Sequence, residues 1–374
     1  MTPILLLAEA YGESEARHSA PLVGPSGAEL LRMLDESDII HLSPAEHAAL
    51  DTFYATRNSR PLLRIWDAHP EVHRTNVFNL HPPHNELGYF LGAKADGLAG
   101  YPALKLPKGR HARPAGNFVR AEFGPELARL GDELLEYNPN IIVCLGNCAL
   151  WALTGNVGVG KLRGTTLLST HTVAGFKLIP TYHPAAILRA WDNRPIAVAD
   201  LIKAKRESAH ATINRPHRQI HIEPTLAEIH SFISTHVAGS RLLSVDIETA
   251  GTRITCIGLA PNPNLALVIP FDDPRTANGC FWPTASAELS AWAAVRGVLE
   301  DPTIPKLFQN GAYDIAFLYR SMHVKVRGAM EDTMLLHHAL HPETLKSLGF
   351  LGSIYSDEGS WKDMRKAKTT KRDD

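Results

Sequence analysis

The chain has 374 residues, 44% hydrophobic and 21% charged, with a formal net charge of −1. That length predicts two or three domains, and the near-neutral balance excludes a global basic field, so any polyanion must be met by a local patch. No apolar run of membrane-spanning length occurs, and the start "MTPILLLAEAYGE" lacks the basic flank and cleavage site of a secretory signal, so a cytoplasmic protein with no membrane partner is expected.

In chain order, "PILLLAEA" is a short apolar run ending in polar residues, and "GPSGAELLRMLDES" has helical spacing at Leu30, Leu31 and Leu34. "NVFNLHPP", "NPNIIVCLG" with the helical "NCALWALTG" behind it, and "FKLIPTYHP" follow. Strands separated by helices predict a mainly parallel sheet covered on both faces, with its ligand site beyond the carboxyl ends of the strands. The polar segments at Glu9, Asn85 and His183 are therefore expected to converge. Residues 92–120 are rich in Gly and Pro and carry Lys94, Lys105, Lys108, Arg110, Arg113 and Arg120, which predicts a loop. It lies along DNA phosphates or is an ordinary solvated insertion. Four cysteines are few for a disulfide framework; Cys144 and Cys148 read as metal ligands on one helical face or, in preference, as buried reduced thiols.

The helix "RPIAVADLIKAKRESA" should close a first domain over residues 1–208, with a linker at 209–218 and a second α/β domain over 219–374. Thr225 is the expected N-cap for "TLAEIHSFISTHV", and three consecutive strands follow it. In the first of these, "LLSVDIETAG", Asp246 and Glu248 share one face while Val245 and Ile247 share the other. Paired carboxylates there suit a bound Mg²⁺, or else a solvated edge strand. Downstream, in "LFQNGAYDIAFLYR", Asn310 and Asp314 are four apart and predicted to share a helical face.

Asp-x-Glu on a strand, a hairpin, then Asn-x-x-x-Asp resembles the first two motifs of 3′ to 5′ proofreading nucleases with an RNase H-like fold. "EDTMLLHHALHPETLKSLGFLGSIYSDEGSWKD" looks like the exonuclease domain of family A DNA polymerases, particularly phage ones. The resemblance implies that Asp246, Glu248 and Asp314 hold Mg²⁺ or Mn²⁺, supported by Asn310, while Asp332 is structural. His337, His338 and His341 are expected to be packed or solvated rather than metal ligands. The family's final Tyr-x-x-x-Asp is not found: Tyr355 has Gly359 at that spacing, and Asp357, Asp363, Asp373 and Asp374 do not supply it. Weak or absent nuclease activity, and a polymerase domain or subunit elsewhere, are the expectations.

"AEAYGESEARHSAPLVGPSGAELLRML", "NVFNLHPPHN", "NIIVCLGNCALWALTG" and "PTYHPAAILR" together resemble, in order, four motifs of the uracil-DNA glycosylase superfamily, nearest to its family 4 and phage members. The resemblance implies a three-layer α/β/α domain that excises uracil from DNA in a bacterial or phage-infected cytoplasm. It assigns His183 to the developing charge on uracil, Glu9 to the water and the cationic sugar, Asn85 to the uracil edge, and Glu15 to a second acidic position. Leu22, Tyr11 and Arg189 fall at substrate-binding positions. Ala8 and Tyr11 replace the motif's Gly and Pro, and Leu22 replaces a stacking Phe, which leaves a non-cutting uracil sensor with a spacer domain as the alternative. Leu80 replaces one cluster cysteine and no Cys-x-x-Cys precedes the first strand, so no iron-sulfur cluster is expected.

Overall fold

The computed structural model describes residues 4–106 and 116–356. Two compact units emerge among them, one running to Asn214 and rejoined by the helix Leu348–Tyr355, the other running from Arg215 to Leu348.

The first unit contains strands β1 (Ile4–Ala10), β2 (Val72–Phe78), β3 (Leu91–Gly92), β4 (Phe118–Val119), β5 (Ile141–Leu145), β6 (Leu167–Leu168) and β7 (Lys177–Thr181), of which β1 and β5 are the apolar runs of the sequence. The sheet order is β2-β1-β5-β7-β6, parallel except for β6 at the edge. Strands buried on both faces read as continuous apolar runs, and successive residues of β1 serve opposite cores: Ile4, Leu6 and Ala8 one, Leu5 and Leu7 the other. Segment 92–120 is not simply a loop, because β3 and β4 pair antiparallel within and beside it. The helices Pro44–Thr56 and Arg60–Ala68 were not anticipated, although Ser43 and Glu46 form a complete capping box that announces the first.

The second unit contains β8 (Gln219–Ile222), β9 (Leu243–Ala250), β10 (Arg253–Asn262), β11 (Leu265–Pro270), β12 (Lys306–Phe308) and β13 (Met330–Asp332), in sheet order β13-β12-β9-β10-β11-β8. The central antiparallel meander β9-β10-β11 follows from three alternating runs joined by tight turns. Thr225 caps its helix in a capping box with Glu228, but regular α-helix ends at Phe232 and Ile233–Val237 continue as a wider π turn.

The sequence reading keeps residues 219–374 together. In the structure the helix Leu348–Tyr355 groups with the first unit instead. Two buried cations there need acceptors: Arg163 donates to the Ser353 hydroxyl at 3.0 Å and Lys203 to the Ser356 carbonyl at 2.7 Å.

Candidate active sites

Glu9 stands where the buried run of β1 gives out, and His183 follows β7. Between them lies Gly146, just after β5, with φ 92° and ψ −176°, a conformation essentially reserved for glycine. Its N–H donates to the Thr181 carbonyl at 2.9 Å, tying the ends of β5 and β7 together. A Cβ on Gly146 would stand 2.8 Å from the Glu9 carboxylate and 3.1 Å from the His183 Cβ. The Glu9 carboxylate and the His183 Cβ therefore flank one backbone floor that tolerates no side chain. His183 Nδ1 accepts the Ala185 N–H at 3.1 Å, which puts the ring's hydrogen on Nε2 and leaves that atom free to donate.

A second group forms around Gly12, whose Cβ would lie 2.6 Å from Glu15 Oε2 and 3.8 Å from Asn85 Oδ1. Glu15 accepts the Gly24 N–H at 3.0 Å, so this carboxylate clamps the two turns at Gly12 and Gly24. Asn85 takes a left-handed backbone, φ 58°, and its Oδ1 lies 3.0 Å from His81 Nε2, leaving Nδ2 to donate. Tyr11 donates its N–H to the Leu80 carbonyl at 3.1 Å. Burial raises its hydroxyl pKa, against Arg129, which lowers it, and with Glu133 and Glu126.

Leu22 is placed differently from an open substrate-binding position. It is buried in the core cluster with a left-handed backbone, φ 60°. The strained turn is held by Trp66 Nε1 on the Leu22 carbonyl at 2.9 Å and by Arg74 Nε on the Pro21 carbonyl at 3.0 Å. Gly27 completes the fit, since a Cβ there would fall 1.7 Å from the Leu22 oxygen. Sequence reasoning missed Trp66 and Arg74; Leu62, Ile65 and Trp66 have helical spacing, but nothing local ties them to a turn 44 residues away. Arg189 is exposed just past the short helix Pro184–Ile187.

Of the basic residues in 92–120, Lys94 and Lys105 are exposed, while Lys108, Arg110 and Arg113 lie outside the described residues. Arg120 is engaged, donating to the Tyr89 carbonyl and to Glu122, each at 2.8 Å, over the rings of Tyr89 and Phe123. Cys144 and Cys148 are fully buried, and desolvation pushes both thiols up, for Cys148 with help from Glu9.

In the second unit Val245 and Ile247 face the core while Asp246 and Glu248 face out, as strand alternation requires. Asp314 is buried on the helix Gly311–Met322 and accepts the Ile247 N–H at 3.2 Å, reaching the backbone between the two strand carboxylates. Burial, and after it the charge of Asp246, raises Asp314 to about 6 despite that hydrogen bond. Asp246 keeps an exposed outer edge, yet surrounding protein and then Glu248 push its carboxyl up as well. Tyr313 pins the end of the strand through Thr249, hydroxyl to hydroxyl at 2.9 Å. Asn310 is the N-cap of that helix in a left-handed conformation, φ 60°, so the four-residue spacing to Asp314 is counted from a cap rather than along one helical face. Asp332 accepts the N–H groups of Asn310, Gly311 and Met334 at 2.8–3.1 Å and is structural.

His337 is buried against Thr344, and His338 and His341 are exposed. Among the described residues no three His, Cys, Asp or Glu side chains already stand in a metal-holding cluster. Asp357, Asp363, Asp373 and Asp374 lie outside those residues.

Residues 1–206 match the family model of the uracil DNA glycosylase superfamily, and residues 220–371 match that of a 3′-5′ exonuclease. A type-4 uracil-DNA glycosylase of Thermotoga maritima is 26% identical over 208 residues, covering 54% of this chain and 77% of that protein. A DNA polymerase of Bacillus phage SP01 is 23% identical over 232 residues; the match takes in 55% of this chain and only 24% of the polymerase's length. Among solved structures, Brucella melitensis NrnC with bound Mg²⁺ aligns at TM-score 0.27 and 18% identity, over 38% of this chain and 64% of that one.

Proposed function

The chain belongs to the uracil DNA glycosylase superfamily and carries a 3′-5′ exonuclease domain behind that part, and on this premise we propose that its first unit excises uracil from DNA by hydrolysing the N-glycosidic bond. The observation that carries the proposal is that Glu9 and His183 flank Gly146. Breaking the bond leaves an oxocarbenium-like sugar and a uracil anion, which call for a carboxylate on one side and a hydrogen-bond donor on the other. Glu9 orients water and favours the cationic sugar. His183 donates from Nε2 to the departing base, because Ala185 already occupies Nδ1. Asn85 reads the edge of the flipped base through its amide, and Glu15 holds the Gly12 and Gly24 turns.

No iron-sulfur cluster takes part in this proposal, and visible absorbance with stoichiometric iron would overturn that. A uracil-containing oligonucleotide tests the main reading: an abasic site cleavable by alkali is expected without added metal. An intact strand at high enzyme, beside a working control glycosylase, would favour a uracil sensor, for which the buried Leu22 speaks.

For the second unit, the donor set fits a hard divalent cation. The carboxyls of Asp246 and Asp314 are pushed up, first by burial and then by the charge of Glu248 on Asp246 and of Asp246 on Asp314, which a cation relieves. Asp246, Glu248 and Asp314 are proposed to hold Mg²⁺ or Mn²⁺. When bound, such an ion activates water and stabilises a leaving 3′ oxygen. Asp314 keeps its position through Ile247, and Thr249 through Tyr313. These three carboxylates of the described residues serve one ion more readily than two, so degradation of a 3′ end is proposed to be slow. The likeness to a phage DNA polymerase supports a place beside such an enzyme, in a bacterial or phage-infected cytoplasm.

A further inference from the structure

Of the five tryptophans among the described residues, four (Trp66, Trp151, Trp282 and Trp292) are buried, and Trp191 is 56% exposed. An indole left in water is unusual enough to ask what it meets. Trp191 is also held in place. The Arg194 guanidinium lies 5.3 Å from its ring centroid, and that guanidinium is itself fixed by Glu29 at 2.7 Å and Glu36 at 2.6 Å. One side of the ring is thus backed by a pinned cation while the side chain stays largely open.

The position along the chain gives the exposure a direction. From His183 onward the backbone climbs in short turns: Ala186 N–H to His183 O, Leu188 to Pro184, Ala190 to Ala186, and Asn193 to Ala190. Trp191 thus follows His183 by eight residues, past the short helix Pro184–Ile187 and Ala190. On that path Leu188 is 41% exposed, and Arg189 is exposed with no carboxylate partner among the described residues.

Resting on the glycosylase reading of His183, we infer that Trp191 is a stacking platform for an unpaired base in the strand that carries the uracil, with Arg189 meeting a phosphate between the two. The ligand class is single-stranded DNA. In a duplex the neighbouring bases are already stacked on one another and offer the indole no face. Asp192 stands beside the platform and sets it against closely packed phosphates, so the contact is to the base. Base-aromatic stacking needs no particular sequence, because every base has a π face.

The test uses the full chain and uracil-free oligonucleotides, so that binding is read apart from excision. A single strand is expected to quench tryptophan fluorescence of the wild type. Trp191→Phe should lose most of that quench and retain most of the affinity. Trp191→Ala should bind a single strand roughly ten-fold more weakly, within the range measured for removing a stacked base, with its binding of duplex and its thermal midpoint unchanged. Single-strand binding by Trp191→Ala equal to wild type, or an unchanged quench in Trp191→Phe, would overturn the inference. Should the wild type bind in this Trp191-dependent way yet release no uracil, the glycosylase reading fails and the platform stands. Should it release uracil with the same KM in Trp191→Ala, the reverse holds.

Discussion

The two sites handle carboxylate charge in opposite ways. In the first unit one carboxylate, Glu9, and a histidine whose tautomer is set by a backbone N–H flank a glycine floor; the parts are complementary without anything added. In the second, the carboxyls of Asp246 and Asp314 are pushed up, both chiefly by burial, Asp246 also by the charge of Glu248 and Asp314 also by that of Asp246. That arrangement is unfavourable until a cation arrives. The difference is one of charge balance: the first site sets a carboxylate beside a hydrogen-bond donor, the second sets carboxyls beside one another.

The largest effect that separates the two is removal of divalent metal. With a chelator, degradation of a 3′-labelled single strand should vanish and uracil release should be unchanged; Asp246→Ala should reproduce both results. Uracil release that disappears with the metal would collapse the contrast. Next in size, His183→Ala should slow uracil release by a factor of ~10² to 10³, the scale on which a lost anion donor is felt, and leave nuclease activity alone. Single-turnover kinetics on a uracil oligonucleotide measure it, and a fully active variant would remove His183 from the chemistry.

A smaller effect is expected at the glycine floor. Gly146→Ala forces a backbone region essentially closed to other residues, at about 1–3 kcal/mol, and sets a methyl 2.8 Å from the Glu9 carboxylate. A drop of several degrees in thermal midpoint and a roughly ten-fold loss of uracil release are expected, the former from the usual relation between free energy and melting temperature. Melting curves at matched pH decide it.

The smallest effect concerns Asp314. Its folded pKa of about 6 lies above that of the unfolded chain, so the folded state holds the extra proton between the two values. Without metal, stability should therefore be fullest below about pH 4 as far as this group is concerned, and should decline as pH rises through 6. Asp314→Asn should flatten that decline, and Mg²⁺ should raise the midpoint above pH 6. A midpoint that rises with pH in the metal-free wild type through this window, and does so equally in Asp314→Asn, would show that Asp314 carries no such strain.

Much of this was legible in the chain. The apolar runs at 4–8 and 141–145 are continuous because each strand is covered on both faces, so they stand out without any knowledge of partners. The alternation of Val245 and Ile247 with Asp246 and Glu248 is equally local, since the pleat alone sets which side chains share a face. Thr225 with Glu228 and Ser43 with Glu46 carry their capping in four residues.

What the tertiary structure decided is what depends on residues far apart in sequence. Gly146 is the floor shared by Glu9 and His183 only because parallel strands bring three chain segments to the same, carboxyl end of the sheet. Leu22 takes its strained turn because Trp66 and Arg74, more than 40 residues on, hold its carbonyl and that of Pro21. Asn310 has the right spacing from Asp314 for one helical face, yet Asp332 holds its N–H and that of Gly311 and fixes it as a left-handed cap. Local pattern sets periodicity and charge by steric rules of the backbone; long-range packing and hydrogen bonding set which of those side chains are free to act, because each partner they find is drawn from a different part of the chain.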